Sequence, residues 1–134
     1  TLNNRPITCP EDVFELVGKE MQCLSQESVR TILLNHKKCL IQIAEIFVGT
    51  GNQSFANPPE ILRKAIGHAA SSMILIHNHP SGDPSPSHSD HQVTQKMKAA
   101  CNAVGLEFAD HIVIGSIANS SGQFYFSFRE AGLI

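Results

Sequence analysis

Two histidines and an aspartate are the residues of this sequence that point most directly to chemistry. His77 and His79 flank Asn78, and Asp90 lies eleven residues beyond His79. His77 follows the apolar run Met73-Ile74-Leu75-Ile76, whose length suits a strand buried on both faces. Residues two apart on a strand point the same way, so two imidazoles at its end can meet one ion. Pro80 to Pro86 is rich in Pro, Ser and Gly and reads as an irregular loop. A loop of that length can fold back and deliver Asp90, in the first turn of the next helix, as a third ligand. Two His and one carboxylate, with a fourth position open, form the donor set of a catalytic Zn²⁺ site; a structural site more often has four protein ligands and several Cys. No cysteine is near. At such a site Zn²⁺ lowers the pKa of water from ~15.7 towards ~7 and polarises a carbonyl oxygen.

A general base is still needed to move the proton. Glu45, Glu60 and Asp83 are the candidates. Glu45 stands out because it interrupts the apolar strand Leu40-Ile41-Gln42-Ile43-Ala44-Glu45-Ile46-Phe47-Val48, where a carboxylate is costly without a partner. Its bland reading is an exposed strand residue. Glu60 reads as a surface charge at a helix start, and Asp83 as a turn former in Ser-Gly-Asp-Pro. Asp90 alone would read as a helix cap; beside the two histidines it reads as a ligand. His111 lies in an apolar run after Asp110. As a fourth ligand it would close the site, so a supporting role behind a ligand fits better. His36, His68, His88 and His91 read as surface residues.

The elements that must position these groups follow from periodicity and turn chemistry. Pro10 to Cys23 carries a helical stripe (Val13, Phe14, Leu16, Val17, Met21, Leu24), with Thr8 as its expected N-cap. Ser28 to His36 and Cys39 to Val48 read as strands joined by the polar turn Asn35 to Lys38, a hairpin. Pro58 opens a helix to about Ala70. Ser87 or Ser89 caps a helix of about Asp90 to Val104, ended by Gly105. Leu106 to Ile114 and Phe124 to Phe128 are further strands. The order predicts one α/β domain, a sheet with helices packed on it.

Bulk properties fit that reading. The chain has 134 residues, with 42% hydrophobic and 16% charged, enough for a core. The net charge of −2 counts against a broad DNA-binding surface. No apolar run approaches the ~20 residues of a membrane span, and no signal peptide is visible at Thr1-Leu2-Asn3-Asn4. Cys9, Cys23, Cys39 and Cys101 include no Cys-x-x-Cys pair and read as thiols of a reducing cytoplasm.

The spacing His-x-His, seven residues, Ser, two residues, Asp resembles the motif of the JAMM metallopeptidases. The seven residues are Pro80 to Pro86, followed by Ser87, then His88 and Ser89, then Asp90. The finer text is similar to the bacterial RadC-like branch of that superfamily. It shares Glu45-Ile46-Phe47-Val48-Gly49-Thr50, the block His77 to Ser87, Asp110-His111-Ile112-Val113-Ile114-Gly115, and Ser127-Phe128. The resemblance runs from about Pro10 to Ile134. It implies one JAMM/MPN-type domain over residues 1–134, a mixed sheet with packed helices similar to the cytidine-deaminase-like architecture. It implies one Zn²⁺ on His77, His79 and Asp90. It implies Glu45 as general acid/base, Ser87 as an oxyanion-stabilising residue, and hydrolysis of an amide or isopeptide bond in a protein or peptide. Where many relatives have Arg before the second helix's glutamate, this chain has Pro59. The helix-hairpin-helix segment that commonly precedes the RadC domain does not occur in it.

Two other functions remain to be weighed. The branch carries a DNA-repair label, which admits a DNA-associated accessory protein with a structural metal; the charge counts against it. A nucleobase deaminase would show His-x-Glu and then Pro-Cys-x-x-Cys, and neither is present. The stretches Gly49 to Asn57 and Ser116 to Gly122 could line a substrate groove.

Overall fold

The structure, a computed structural model, describes residues 5–49, 57–116 and 122–134. Helix α1 runs in three contiguous pieces, Pro10–Val13, a π-helical Phe14–Gly18, and Lys19–Met21. Strands β1 (Glu27–Leu34) and β2 (Leu40–Gly49) follow. Then come helix α2 (Pro58–Gly67), strand β3 (Ser72–Asn78), helix α3 (His88–Ala103), and strands β4 (Glu107–Ile114) and β5 (Tyr125–Ser127). Among the described residues the strands form one sheet in the order β2-β1-β3-β4-β5. Only β3 and β4, joined through α3, are parallel; the other neighbours run antiparallel. The α/β fold of packed helices on a mixed sheet is therefore as the sequence predicts. No helix among the described residues is long and apolar enough to cross a membrane.

Alternation along the strands sends side chains to two cores. On one face Val29, Leu33, Met73, Leu75 and Phe108 pack against Ile61 and Ala65 of α2 and Val93, Met97 and Cys101 of α3. On the other, Ile32, Leu34, Ile74, Ile76, Ile112 and Ile114 pack against Val13, Val17 and Met21 of α1. Every residue of β3 is buried, which explains its unbroken apolar run. The N-cap of α1 is Cys9, without a side-chain bond, rather than Thr8. Thr8 instead donates its N–H to the Asp12 carboxylate at 3.0 Å.

The register of β2 matters for function. Val29 pairs with Phe47, but the next residue of β1, Arg30, pairs with Glu45, so a bulge at Ile46 interrupts the alternation. Residues paired across strands share a face. Glu45 therefore shares a face with Arg30, on the α1 side. The loop between β3 and α3 is pinned to the end of β4. His79 N–H donates to the Ile114 carbonyl (2.8 Å) and Ser116 N–H to the Gly82 carbonyl (2.8 Å). Gly115 lets the two backbones meet, because a Cβ there would lie 2.6 Å from the Gly82 oxygen and 2.9 Å from Pro84 Cδ. Gly115→Ala is expected to cost about 1–3 kcal/mol through this overpacking, measurable by urea denaturation; an unchanged midpoint would show that the loop is not held there.

Candidate metal centre

The parallel strands β3 and β4 end at the sheet edge where α3 begins, a usual place for ligands in α/β folds. His77 is the penultimate residue of β3, His79 lies just beyond the strand, and Asp90 is the third residue of α3. His77 Nε2 is 3.2 Å from Asp90 Oδ1, His79 Nε2 is 3.2 Å from Asp90 Oδ2, and the two Nε2 atoms are 3.3 Å apart. His77 and Asp90 are buried and His79 partly so. The three residues picked out by spacing thus converge.

Each is held from behind. Asp90 closes a capping box: Ser87 Oγ accepts the Asp90 N–H at 3.1 Å, and Asp90 Oδ2 accepts the Ser87 N–H at 2.9 Å. Ser87, exposed at the N-cap, is therefore the cap. The His79 ring places Nδ1 3.0 Å from the Asp83 carbonyl oxygen, which fixes Nδ1 as donor and turns the Nε2 lone pair to the cluster. Asp83 itself shapes the loop, its Oδ1 accepting from Ser85 N–H (2.8 Å) and Ser85 Oγ (2.7 Å). This is the turn role read from the sequence.

His77 is oriented by His111. His111 Nε2 lies 3.0 Å from His77 Nδ1, and His111 Nδ1 lies 2.6 Å from Thr94 Oγ1, which donates to the Asp90 carbonyl at 3.0 Å. Thr94 has one hydroxyl proton, so its oxygen accepts from His111 Nδ1–H. His111 Nε2 then accepts from His77 Nδ1–H, which leaves the Nε2 of His77 as a donor atom for a metal. Phe128 stacks on the His111 ring with centroids 4.7 Å apart and planes 6° off parallel. Asp110 accepts from His111 N–H (2.7 Å), Ser127 Oγ (2.6 Å) and Arg129 N–H (3.0 Å). The Asp110-His111 and Ser127-Phe128 blocks therefore form one support behind the first ligand. His91 meets the edge of Phe128, while His36, His68 and His88 are exposed.

Glu45 is not at this site. Its carboxylate accepts from Ser28 Oγ at 2.7 Å and lies 3.8 Å from Arg30 Nε, in a network that continues to Glu20 of α1. The acidic residue beside the histidines is Glu27, at the start of β1, whose carboxylate and the His77 and His79 ring nitrogens all lie within 4.8 Å of one another. Its Oε1 is buried and has no hydrogen-bond partner among the described residues. Glu60 is exposed on α2. A Glu among polar neighbours in Ser25-Gln26-Glu27-Ser28 carries no local signal. Only the pairing of β1 with β3 reveals it. The proposed groove stretches lie mostly outside the described residues.

The cluster's electrostatics follow from its contacts. Burial disfavours the Asp90 charge, but the His77 and His79 rings hold its carboxyl far below the usual range. Burial likewise opposes a charged His79, yet Asp90 and the Asp83 carbonyl raise its pKa above the ordinary 6.5. His111 is pushed well below its ordinary value by burial and by His77 nearby, so it stays neutral.

A profile of the RadC-like JAB domain matches residues 7–133. The chain belongs to this family. A UPF0758 protein of Caldanaerobacter subterraneus subsp. tengcongensis is 45% identical over 112 residues, covering 84% of this chain and 48% of the relative. One of Clostridium beijerinckii is 39% identical over 132 residues, covering 98% and 55%. One of Clostridium kluyveri is 41% identical over 128 residues, covering 96% and 54%. The chain spans about half the length of these relatives.

Two outcomes follow. In the metal-free protein the depressed Asp90 pKa stabilises the fold above its unfolded value, and that contribution is lost as pH falls through the carboxylate range. The raised His79 pKa contributes fully below 6.5 and is lost as pH rises through the raised value. His111, held neutral by burial, loses its contribution as pH falls below the ordinary imidazole value, so metal-free melting temperatures are expected to peak near neutral pH. Bound metal is expected to remove the alkaline decline, because neutral imidazoles are then the ligands. A flat metal-free profile would contradict the pairing. His111→Ala is expected to weaken Zn²⁺ binding about 10–100-fold, read by competition with a chromophoric chelator; unaltered affinity would remove His111 from the support.

Proposed function

We propose that this protein is a zinc-dependent hydrolase that cleaves an amide or isopeptide bond in a protein or peptide. The observation that carries the reading is the meeting of two imidazole Nε2 atoms with the Asp90 carboxylate, beside the Glu27 carboxylate, whose Oε1 is buried without a hydrogen-bond partner among the described residues. Membership of the RadC-like JAB family supports it.

The residues fit the ion. Tetrahedral Zn²⁺ with ligands at 2.0–2.1 Å needs donor atoms about 3.3–3.4 Å apart; the two Nε2 atoms are 3.3 Å apart, and each has its own Asp90 oxygen at 3.2 Å, Oδ1 for His77 and Oδ2 for His79. All donors are N or O, two of the rings are fixed from Nδ1, and no thiol takes part. His77, His79 and Asp90 would hold the metal. When bound, it would supply Lewis-acid polarisation and a nucleophile at neutral pH.

The chain's own groups supply the rest. Glu27 Oε1 has no partner among the described residues, so the carboxylate can take a proton from water and return it to the leaving amine. Ser87 Oγ accepts the Asp90 N–H and keeps its own proton to donate to a substrate carbonyl oxygen at the exposed mouth of the site. Glu45, held by Ser28 and Arg30, plays no part in the proton transfer.

Glu27→Gln is expected to bind zinc as the wild type does and to lose about 10²–10⁴-fold in hydrolysis of peptide- and isopeptide-linked fluorogenic substrates. Glu45→Gln is expected to remain near wild-type activity. The reverse pattern would return the base to Glu45 and refute the assignment.

A further inference from the structure

The backbones of β1 and β3 stop pairing at Val29 and His77. Carried two residues further, the same register would set Glu27 opposite His79. Beyond the last backbone pair a side chain takes over. Asn78 Oδ1 accepts the Ser28 N–H at 2.7 Å, and Asn78 Nδ2 donates to the Gln26 carbonyl at 3.1 Å. The amide of Asn78 thus grips the main chain on both sides of Glu27, and Asn78 is fully buried while doing so. Its N–H and C=O stand in for the next rungs of the ladder. Ser28 is steadied from β2, on its other side, as well, through its hydroxyl bond to Glu45.

We infer that Asn78 is a positioning residue for Glu27: its side-chain amide extends the β1–β3 ladder and sets the Glu27 carboxylate at the metal centre. The inference rests on the reading of Glu27 as the proton-handling group. It explains the middle residue of His77-Asn78-His79, which points away from both ligands. The primary amide is the one neutral group of that size with an acceptor and a donor in fixed geometry. Leu would fill the volume and bond to neither strand atom. Asp would keep the acceptor but turn a second oxygen towards the Gln26 carbonyl.

Two readouts test it. In metal-free protein, amide exchange at Ser28 is expected to rise about tenfold in Asn78→Ala, the equivalent of one buried hydrogen bond of ~1.4 kcal/mol. Exchange at Ile32 and Leu75, deeper in the same sheet, should stay at wild-type rates. With Co²⁺ in place of zinc, Asn78→Ala is expected to keep one ion per chain. The pH-dependent step of its visible spectrum should move to where Glu27→Gln puts it, and the double variant should move it no further. Asn78→Asp, which preserves shape, is expected to move the step in the same direction and serves if Asn78→Ala does not fold. Wild-type exchange at Ser28, a wild-type spectral step, or additive shifts in the double variant would overturn the inference. A wild-type protein that takes up neither Co²⁺ nor Zn²⁺ would instead overturn the metal-centre reading, and the exchange at Ser28 would then decide the positioning role alone.

Discussion

The structure depends above all on how β3 is clamped at its C-terminal end. This strand is buried along its whole length and lies between β1 and β4. Its end carries His77 and leads directly into His79, so any slip in register would separate both from their partners. Antiparallel pairing with β1 brings Glu27 alongside. Parallel pairing with β4 brings His111 up behind His77. The crossover through α3 returns the chain so that Asp90 lands on the two rings. One strand end therefore collects groups from four elements.

The support behind the site is polar and almost fully satisfied. Asp90 closes the capping box with Ser87 while facing the two histidine rings, Thr94 links α3 to His111, and Asp110 ties β4 to the turn after β5. Such networks rigidify when complete and are costly when broken. The exception is Glu27 Oε1, buried and unpartnered. An orphaned carboxylate oxygen in a network so well paired is the mark of a group kept for water or substrate rather than for stability.

Much of this was legible in the residues. The His-x-His and Asp spacing gave three groups that do converge, since strand alternation and a capped helix are local rules. Turn chemistry placed Asp83, and the awkwardness of a fourth ligand placed His111 behind His77. The acidic neighbour of the histidines was not legible. Glu45 is conspicuous because it interrupts an apolar strand, but a one-residue bulge at Ile46 turns it to the face of Arg30, away from the histidines. Glu27 looked ordinary because its importance comes from a partner strand about fifty residues away in sequence. The roles of Asn78 and Phe128 were hidden for the same reason, as both act across strands rather than along one.

The central claim is that His77, His79 and Asp90 bind zinc at the β3 end with Glu27 beside it. A zinc-edge anomalous difference map from crystals of the zinc-loaded protein tests this most directly. One strong peak per chain is expected, about 2.0–2.2 Å from His77 Nε2, His79 Nε2 and an Asp90 oxygen, with the Glu27 carboxylate facing the remaining position. No peak there, or a peak held by cysteines or by Glu45 on the opposite face of the sheet, would contradict it.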